Sequence, residues 1–166
     1  MTHADDMLAV AAARADELAA PGLDARPRRG VAVLACMDAR IDLFAMLGLQ
    51  HGDAHIIRNA GGLVTEDAIR SLSASQRLLG TEEIVVVMHD DCGLHGASED
   101  EFARALAADG VLPTWRLGAF ETVEDALRHG LARLRSSREL TARDHIRGVV
   151  FDPETGAVRE VDPPEG

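Results

Sequence analysis

Val31-Ala-Val-Leu-Ala-Cys36-Met-Asp38-Ala-Arg40 and Ile84-Val-Val-Val-Met-His89-Asp-Asp-Cys92-Gly93 are the two stretches whose reading decides the fold. Each is a short apolar run that ends directly in a polar cluster. Such runs read as strands buried in a parallel sheet. The C-terminal ends of parallel strands share one edge, and the loops leaving that edge assemble sites. Cys36, His89 and Cys92 are therefore expected to meet there. Two cysteines and a histidine form a sound zinc set, with Asp38 as a possible fourth ligand. Only the His89-x-x-Cys92 spacing is metal-like by itself; the other half of the set must come from the fold.

Outward from these stretches, the pattern alternates strand and helix. Residues 3 to 20 carry Leu8, Ala12, Ala15, Leu18 and Ala19 near helical spacing, and Pro21-Gly22 stops the run. This amphipathic N-terminal helix can cover its own core or pack on a second subunit. A first strand is expected at 31–36, a short helix at 41–48, and a second strand at Ala54-His-Ile-Ile. Gly61-Gly62 breaks the chain, Thr65 caps a helix reaching about Leu79, and Gly80 sits where a helix C-terminus favours glycine. A third strand is expected at 83–88. Ser98-Glu-Asp-Glu101 matches a capping box for a helix to about Ala108, and a further helix runs from about Thr122 to Arg135. His145 to Phe151 is a fourth strand; Asp152-Pro-Glu-Thr-Gly156 is turn chemistry, after which Ala157 to Val161 can return antiparallel. The class is α/β, with a mostly parallel sheet in a single domain, 1–166.

Composition narrows the partners. The 46% hydrophobic content supports an ordinary core, and with 3% aromatics and no Tyr that core is aliphatic. A formal charge of −11 argues against nucleic acid or an anionic membrane as partner. There is no Lys; the 17 basic residues are all Arg. The N-terminus lacks the basic and apolar regions of a signal peptide, and no segment reaches membrane-spanning length. The expectation is a soluble, cytoplasmic protein. Two cysteines do not make a disulfide scaffold, and the absence of Cys-x-x-Cys weakens a redox role.

Either cysteine alone reads best as an inert buried thiol. Both together, beside His89, point to a metal, which holds them as thiolates near neutral pH. Asp38 and Arg40 are one residue apart, and Arg presents a rigid fork to a carboxylate. They form either an ordinary ion pair or a switch: Asp38 on zinc closes the fourth position, and Asp38 on Arg40 opens it for water. Asp90 and Asp91 add negative charge that Arg58 could balance. Asn59-Ala-Gly61-Gly62 either presents amides to an anion or turns the chain. His95 is a loop histidine or a proton shuttle. His3, His51, His55, His129 and His145 lack a metal-like context.

Cys36-x-Asp38-x-Arg40, Arg58-Asn59-Ala60 and His89-x-x-Cys92-Gly93, in that order, resemble the β-class carbonic anhydrase family, most closely its compact bacterial branch. The resemblance implies zinc on Cys36, His89 and Cys92, with Asp38 as the fourth ligand in a closed state, and a catalytic Asp38–Arg40 dyad. It implies a parallel sheet with an antiparallel edge strand, helices on both faces, and a homodimer or homotetramer in which the helix of residues 1–20 crosses the partner. Three departures stand out. Pro27 occupies the place of a Gln that binds substrate in plant-type members, Met37 and Ala39 replace serines of the first motif, and the chain is short and lacks Tyr.

The implied reaction is reversible hydration of carbon dioxide to bicarbonate and a proton by a zinc-bound hydroxide. With two thiolates on the metal, activity is expected to rise from neutral to alkaline pH. An apolar pocket using Val64 or residues of a partner chain would hold the substrate. Hydrolysis of COS or CS2 on the same scaffold is the alternative within enzymes. A silent zinc- or bicarbonate-binding module, with Asp38 locked on the metal, is the alternative from another class.

Overall fold

Residues 2–161 are described by the computed structural model; Met1 and 162–166 of the expected single domain lie outside them. In chain order the elements are α1 (His3–Ala13), α2 (Ala15–Leu18), β1 (Val31–Cys36), α3 (Leu43–Leu47), β2 (Ala54–Asn59), a 3-10 turn (Ala60–Gly62), α4 (Glu66–Leu79), β3 (Glu83–His89), α5 (Glu99–Ala108), α6 (Val123–Ser136), β4 (Ile146–Phe151) and β5 (Val158–Glu160). The strands form one sheet in the order β2-β1-β3-β4-β5. Its first four strands are parallel and β5 runs antiparallel at the edge, as expected.

The local chemistry explains most boundaries. The Thr65 hydroxyl accepts from the Ala68 N–H at the start of α4, and Gly80 closes its end in the left-handed conformation (φ 71°). Asp42 caps α3, accepting from the Phe44 and Ala45 N–H groups, so the helix begins at Leu43 and Ile41 is left to the core. β2 extends past Ile57 because Arg58 and Asn59 still pair with Ala35 and Cys36. The expected helix over 3–20 is instead two pieces that break at Arg14.

The core has two layers. On one face Leu34, Ile84, Val86, Met88 and Val150 pack against Leu72 of α4 and against Leu127, Leu131 and Leu134 of α6. A leucine buried this completely contributes ~1.5–3 kcal/mol. On the other face Val33, Ala35 and Val87 pack against Ile41, Leu43 and Leu94. That second layer is thinner: Val31, Ile56, Val85, Val149 and Phe151 on it are only half-buried. Among the described residues no helix is long and apolar enough to cross a membrane.

Candidate metal centre

β1 and β3 lie side by side, although the chain visits β2 between them. The strand order therefore switches direction between β1 and β3, which is where doubly wound sheets open a crevice. Cys36 is the last residue of β1, His89 the last of β3, and Cys92 lies in the turn that follows. One donor atom from each lies within 4.8 Å of the other two, and all three residues are buried, so the trio could hold a metal ion. His89 Nε2 is 3.2 Å from Cys36 Sγ. Its Nδ1 is 2.8 Å from the Asp90 carbonyl. A carbonyl only accepts, so Nδ1 carries the proton and the Nε2 lone pair faces the cysteines. Burial pushes the Cys92 thiol up.

Asp38 and Arg40 meet in the same loop. Arg40 Nε and Nη2 donate to Asp38 Oδ1 and Oδ2 at 3.0 and 2.9 Å, and the Arg40 backbone N–H adds a bond of 2.8 Å. These donors hold the Asp38 carboxyl well below the usual carboxylate range. Asp38 Oδ2 still lies only 3.6 Å from His89 Nε2. Of the two arrangements read from the sequence, the structure contains the paired one.

Arg58 takes a different part from the expected charge balance. Its guanidinium donates to the carbonyls of Cys36, Asp38 and Ile41 at 3.0, 2.7 and 3.3 Å, and so clamps the loop that carries Cys36 and Asp38. Asp91 is met by Arg40 and Asp90 by Arg159 instead. Asn59 settles the Gly-rich segment as a turn: its side chain donates to the Leu63 carbonyl and accepts from the Leu63 N–H at 2.8 and 2.9 Å. Gly62 is pressed so close to the strand ends that an added Cβ would lie 2.7 Å from the Val87 oxygen and 2.9 Å from the Cys36 nitrogen.

His95 is exposed, stacks on Phe120 at 6.3 Å, and lines a cavity of about 200 Å³ with His89 and Thr122. His55 is structural, bonded to Ser75 and the Ala25 carbonyl. Pro27 precedes β1 and so sits at the sheet edge opposite the trio in its own chain. A groove of about 840 Å³ is lined by Val64, Leu63, Ala126, Phe120 and Trp115 but by none of the trio. Trp115 packs on Phe102 at its rim, and the Glu99 carboxylate accepts the N–H groups of Leu117, Gly118 and Ala119 to hold that rim. Glu99 and Arg159 escaped the sequence reading; Arg159 meets partners 35 and 69 positions away, a separation no local spacing reveals.

Fold and trio together define an α/β protein with a crevice at the switch point of its sheet whose buried Cys/His/Cys trio could hold a metal ion. A family model described as carbonic anhydrase matches residues 31–150. Beta-carbonic anhydrase 1 of Mycobacterium tuberculosis is 43% identical over 164 residues, spanning 98% of this chain and 100% of the relative. The crystal structure of a carbonic anhydrase from Streptococcus mutans matches with a TM-score of 0.88 at 38% identity, covering 98% of this chain and 99% of that one. A carbon disulfide hydrolase of Acidithiobacillus thiooxidans is 34% identical over 148 residues, 76% of this chain and 74% of the relative. The chain belongs to the carbonic anhydrase family, in its β class.

Proposed function

We propose that this protein catalyses the reversible hydration of carbon dioxide to bicarbonate and a proton, using a zinc ion held by Cys36, His89 and Cys92. The observation that carries the reading is the buried trio with Asp38 drawn onto Arg40 beside it. Two thiols and one imidazole match zinc's preference for sulfur and nitrogen donors. When bound, zinc supplies a Lewis acid that brings the ionisation of water toward neutral pH.

The chain's own residues supply the rest. The Asp90 carbonyl keeps the His89 tautomer that offers Nε2. Arg58 holds the Cys36 and Asp38 carbonyls, and with them the position of both side chains. Arg40 fixes the Asp38 carboxylate in its ionised form, where it accepts a hydrogen bond from the attacking water and orients it toward carbon dioxide. Had Asp38 been turned away from Arg40, a silent module would be the better reading.

Stopped-flow carbon dioxide hydration by zinc-loaded protein from pH 6.5 to 9 tests this. Turnover that climbs with pH is expected; no turnover at any pH, with zinc bound, rejects it. Asp38→Ala should keep the metal and lose most turnover. Hydrolysis of carbon disulfide is the second reading, favoured by the 34% identity to an enzyme of that name. Sulfide release from CS2 in place of carbon dioxide hydration would establish it.

We further propose that the chain acts as one domain in a homodimer or larger homo-oligomer, with α1 laid on a partner. α1 buries none of its residues, and Met7, Leu8 and Val10 are exposed on it. A cytoplasmic location is consistent with thiol ligands, which a reducing compartment protects.

A further inference from the structure

β5 lies beyond residues 31–150, the stretch the family model matches, yet it sends a side chain to Asp90, the neighbour of His89. Arg159 Nη1 and Nη2 grip the Asp90 carboxylate, on Oδ2 and Oδ1, at 2.5 and 2.8 Å. The same guanidinium reaches Glu124 Oε1, in the first turn of α6, at 2.6 Å. Asp90 is the residue whose carbonyl accepts the hydrogen bond from His89 Nδ1–H. Its backbone N–H donates to the Phe151 carbonyl at 2.9 Å, at the end of β4. β5 pairs with that end, Val158 against Phe151 and Arg159 against Val150. Asp90 is thus fastened on both sides of the one atom that orients the histidine: through its N–H to β4, and through its carboxylate to β5.

We propose that Arg159 is a positioning residue for the metal centre. By gripping Asp90 it keeps the Asp90 carbonyl on His89 Nδ1, and so keeps Nε2 aimed at the space between Cys36 and Cys92. The inference rests on the reading that this trio holds zinc. Partners that orient a ligating histidine typically change metal affinity when removed, even where they add little to fold stability. The half-exposed Arg159–Asp90 pair fits that description, since ion pairs in contact with solvent stabilise a fold only weakly. The planar fork is the essential part: it takes both carboxylate oxygens of Asp90 while touching Glu124, a geometry an ammonium group does not reproduce.

The test measures zinc affinity by competition with a chromogenic chelator, together with the absorption spectrum of the cobalt(II)-loaded protein. Arg159→Ala should raise the zinc Kd about 10–100-fold and shift the cobalt bands. Arg159→Lys should recover only part of the loss. Glu124→Gln, which leaves the grip on Asp90 intact, should stay close to the unaltered protein. An unchanged Kd and cobalt spectrum in Arg159→Ala overturns the proposal, even if its thermal midpoint falls. A Glu124→Gln loss equal to that of Arg159→Ala also overturns it, because the anchor on α6 would then be what matters. If Arg159→Ala does not fold, Asp90→Asn keeps the carbonyl and weakens the grip; an unchanged Kd there is equally fatal. Unaltered protein that takes up no zinc rejects the metal reading itself, whereas zinc uptake indifferent to Arg159 rejects only this proposal.

Discussion

Arg40 is joined to Asp91 twice, from Nη1 to Oδ2 at 2.9 Å and from Nη2 to the Asp91 carbonyl at 3.0 Å. Asp91 is the only non-glycine among the described residues with a positive φ, 54°. The left-handed region is disfavoured for residues other than Gly, with Asp and Asn the least opposed. The Cys92 turn is therefore held in a strained form whose side chain and carbonyl both end on Arg40. Because Arg40 also grips Asp38, one guanidinium ties the loop of the first cysteine to the loop of the second.

Arg40→Gln should consequently release both loops at once. Carbon dioxide hydration is expected to fall by about 10–100-fold, the range seen when groups orienting a metal site are removed. Asp91→Ala should cause a smaller loss in the same direction. Since Arg40 and Asp91 are well exposed, neither change should move the denaturation midpoint much. Stopped-flow rates set beside urea melts check the pair; a collapse of stability that parallels the loss of rate would contradict it.

Gly62 offers a contrast with Gly80. Both have positive φ, 66° and 71°. Alanine at Gly80 meets open space and should cost only the left-handed strain, ~1–2 kcal/mol. Alanine at Gly62 would add contacts of 2.7 and 2.9 Å with the backbone of Val87 and Cys36, which cannot rotate away as a side chain would. Gly62→Ala should cost ~3 kcal/mol or more and lower metal uptake by displacing the end of β1. Equal unfolding free energies for the two variants would show that the close approach is relieved cheaply.

How far the site was legible in the sequence depended on the range of each contact. Cys36, His89 and Cys92 were readable because each sits at or just past the end of an unbroken apolar strand, so a parallel sheet had to gather them. Asp38 and Arg40 were readable because their pairing is local. The caps at Thr65 and Gly80 marked α4 for the same reason. Arg58 was legible as a cation beside the site but not as a clamp, since its partners are three backbone carbonyls. The grip of Arg159 on Asp90 depends on β5 closing against β4, a tertiary fact with no counterpart in spacing. The break at Arg14 has no signal in the helical pattern of residues 3 to 20.

Asp53 gives a stability prediction with a sign. Its carboxylate accepts the Gln50 N–H at 2.9 Å and pairs with Arg28 and Arg29 at 2.8 and 3.2 Å. These contacts hold its carboxyl below the ordinary carboxylate range. A folded-state pKa below the unfolded one stabilises the protein above the unfolded value, about 3.9, and that contribution is lost as pH falls through the folded value. Asp53→Asn should therefore be less stable than the unaltered protein at pH 7, and the gap should close as the pH drops below about 4. Urea midpoints at pH 7, 5 and 3 measure it; a gap that stays constant with pH would assign the loss to packing.

The N-terminal segment supplies the last prediction. The chain exposes 10615 Å², whereas a compact monomer of 17.7 kDa is expected to expose only ~8,000 Å². Among the residues that contribute to it, Met7, Leu8, Val10 and Leu18 are 70, 69, 56 and 55% exposed. Neither of their helices buries a residue. The same chain leaves one sheet face half-covered and an open apolar groove beside α4 and α6. A second copy can match these surfaces, helix to uncovered face, and a two-fold arrangement does so twice. Leu8→Glu places a charge among these exposed apolar side chains without touching the core or the metal trio. Light scattering should report a dimer or larger assembly for the unaltered protein and a smaller species for Leu8→Glu, with zinc affinity retained. A mass unaffected by the substitution would mean that α1 does not carry the interface.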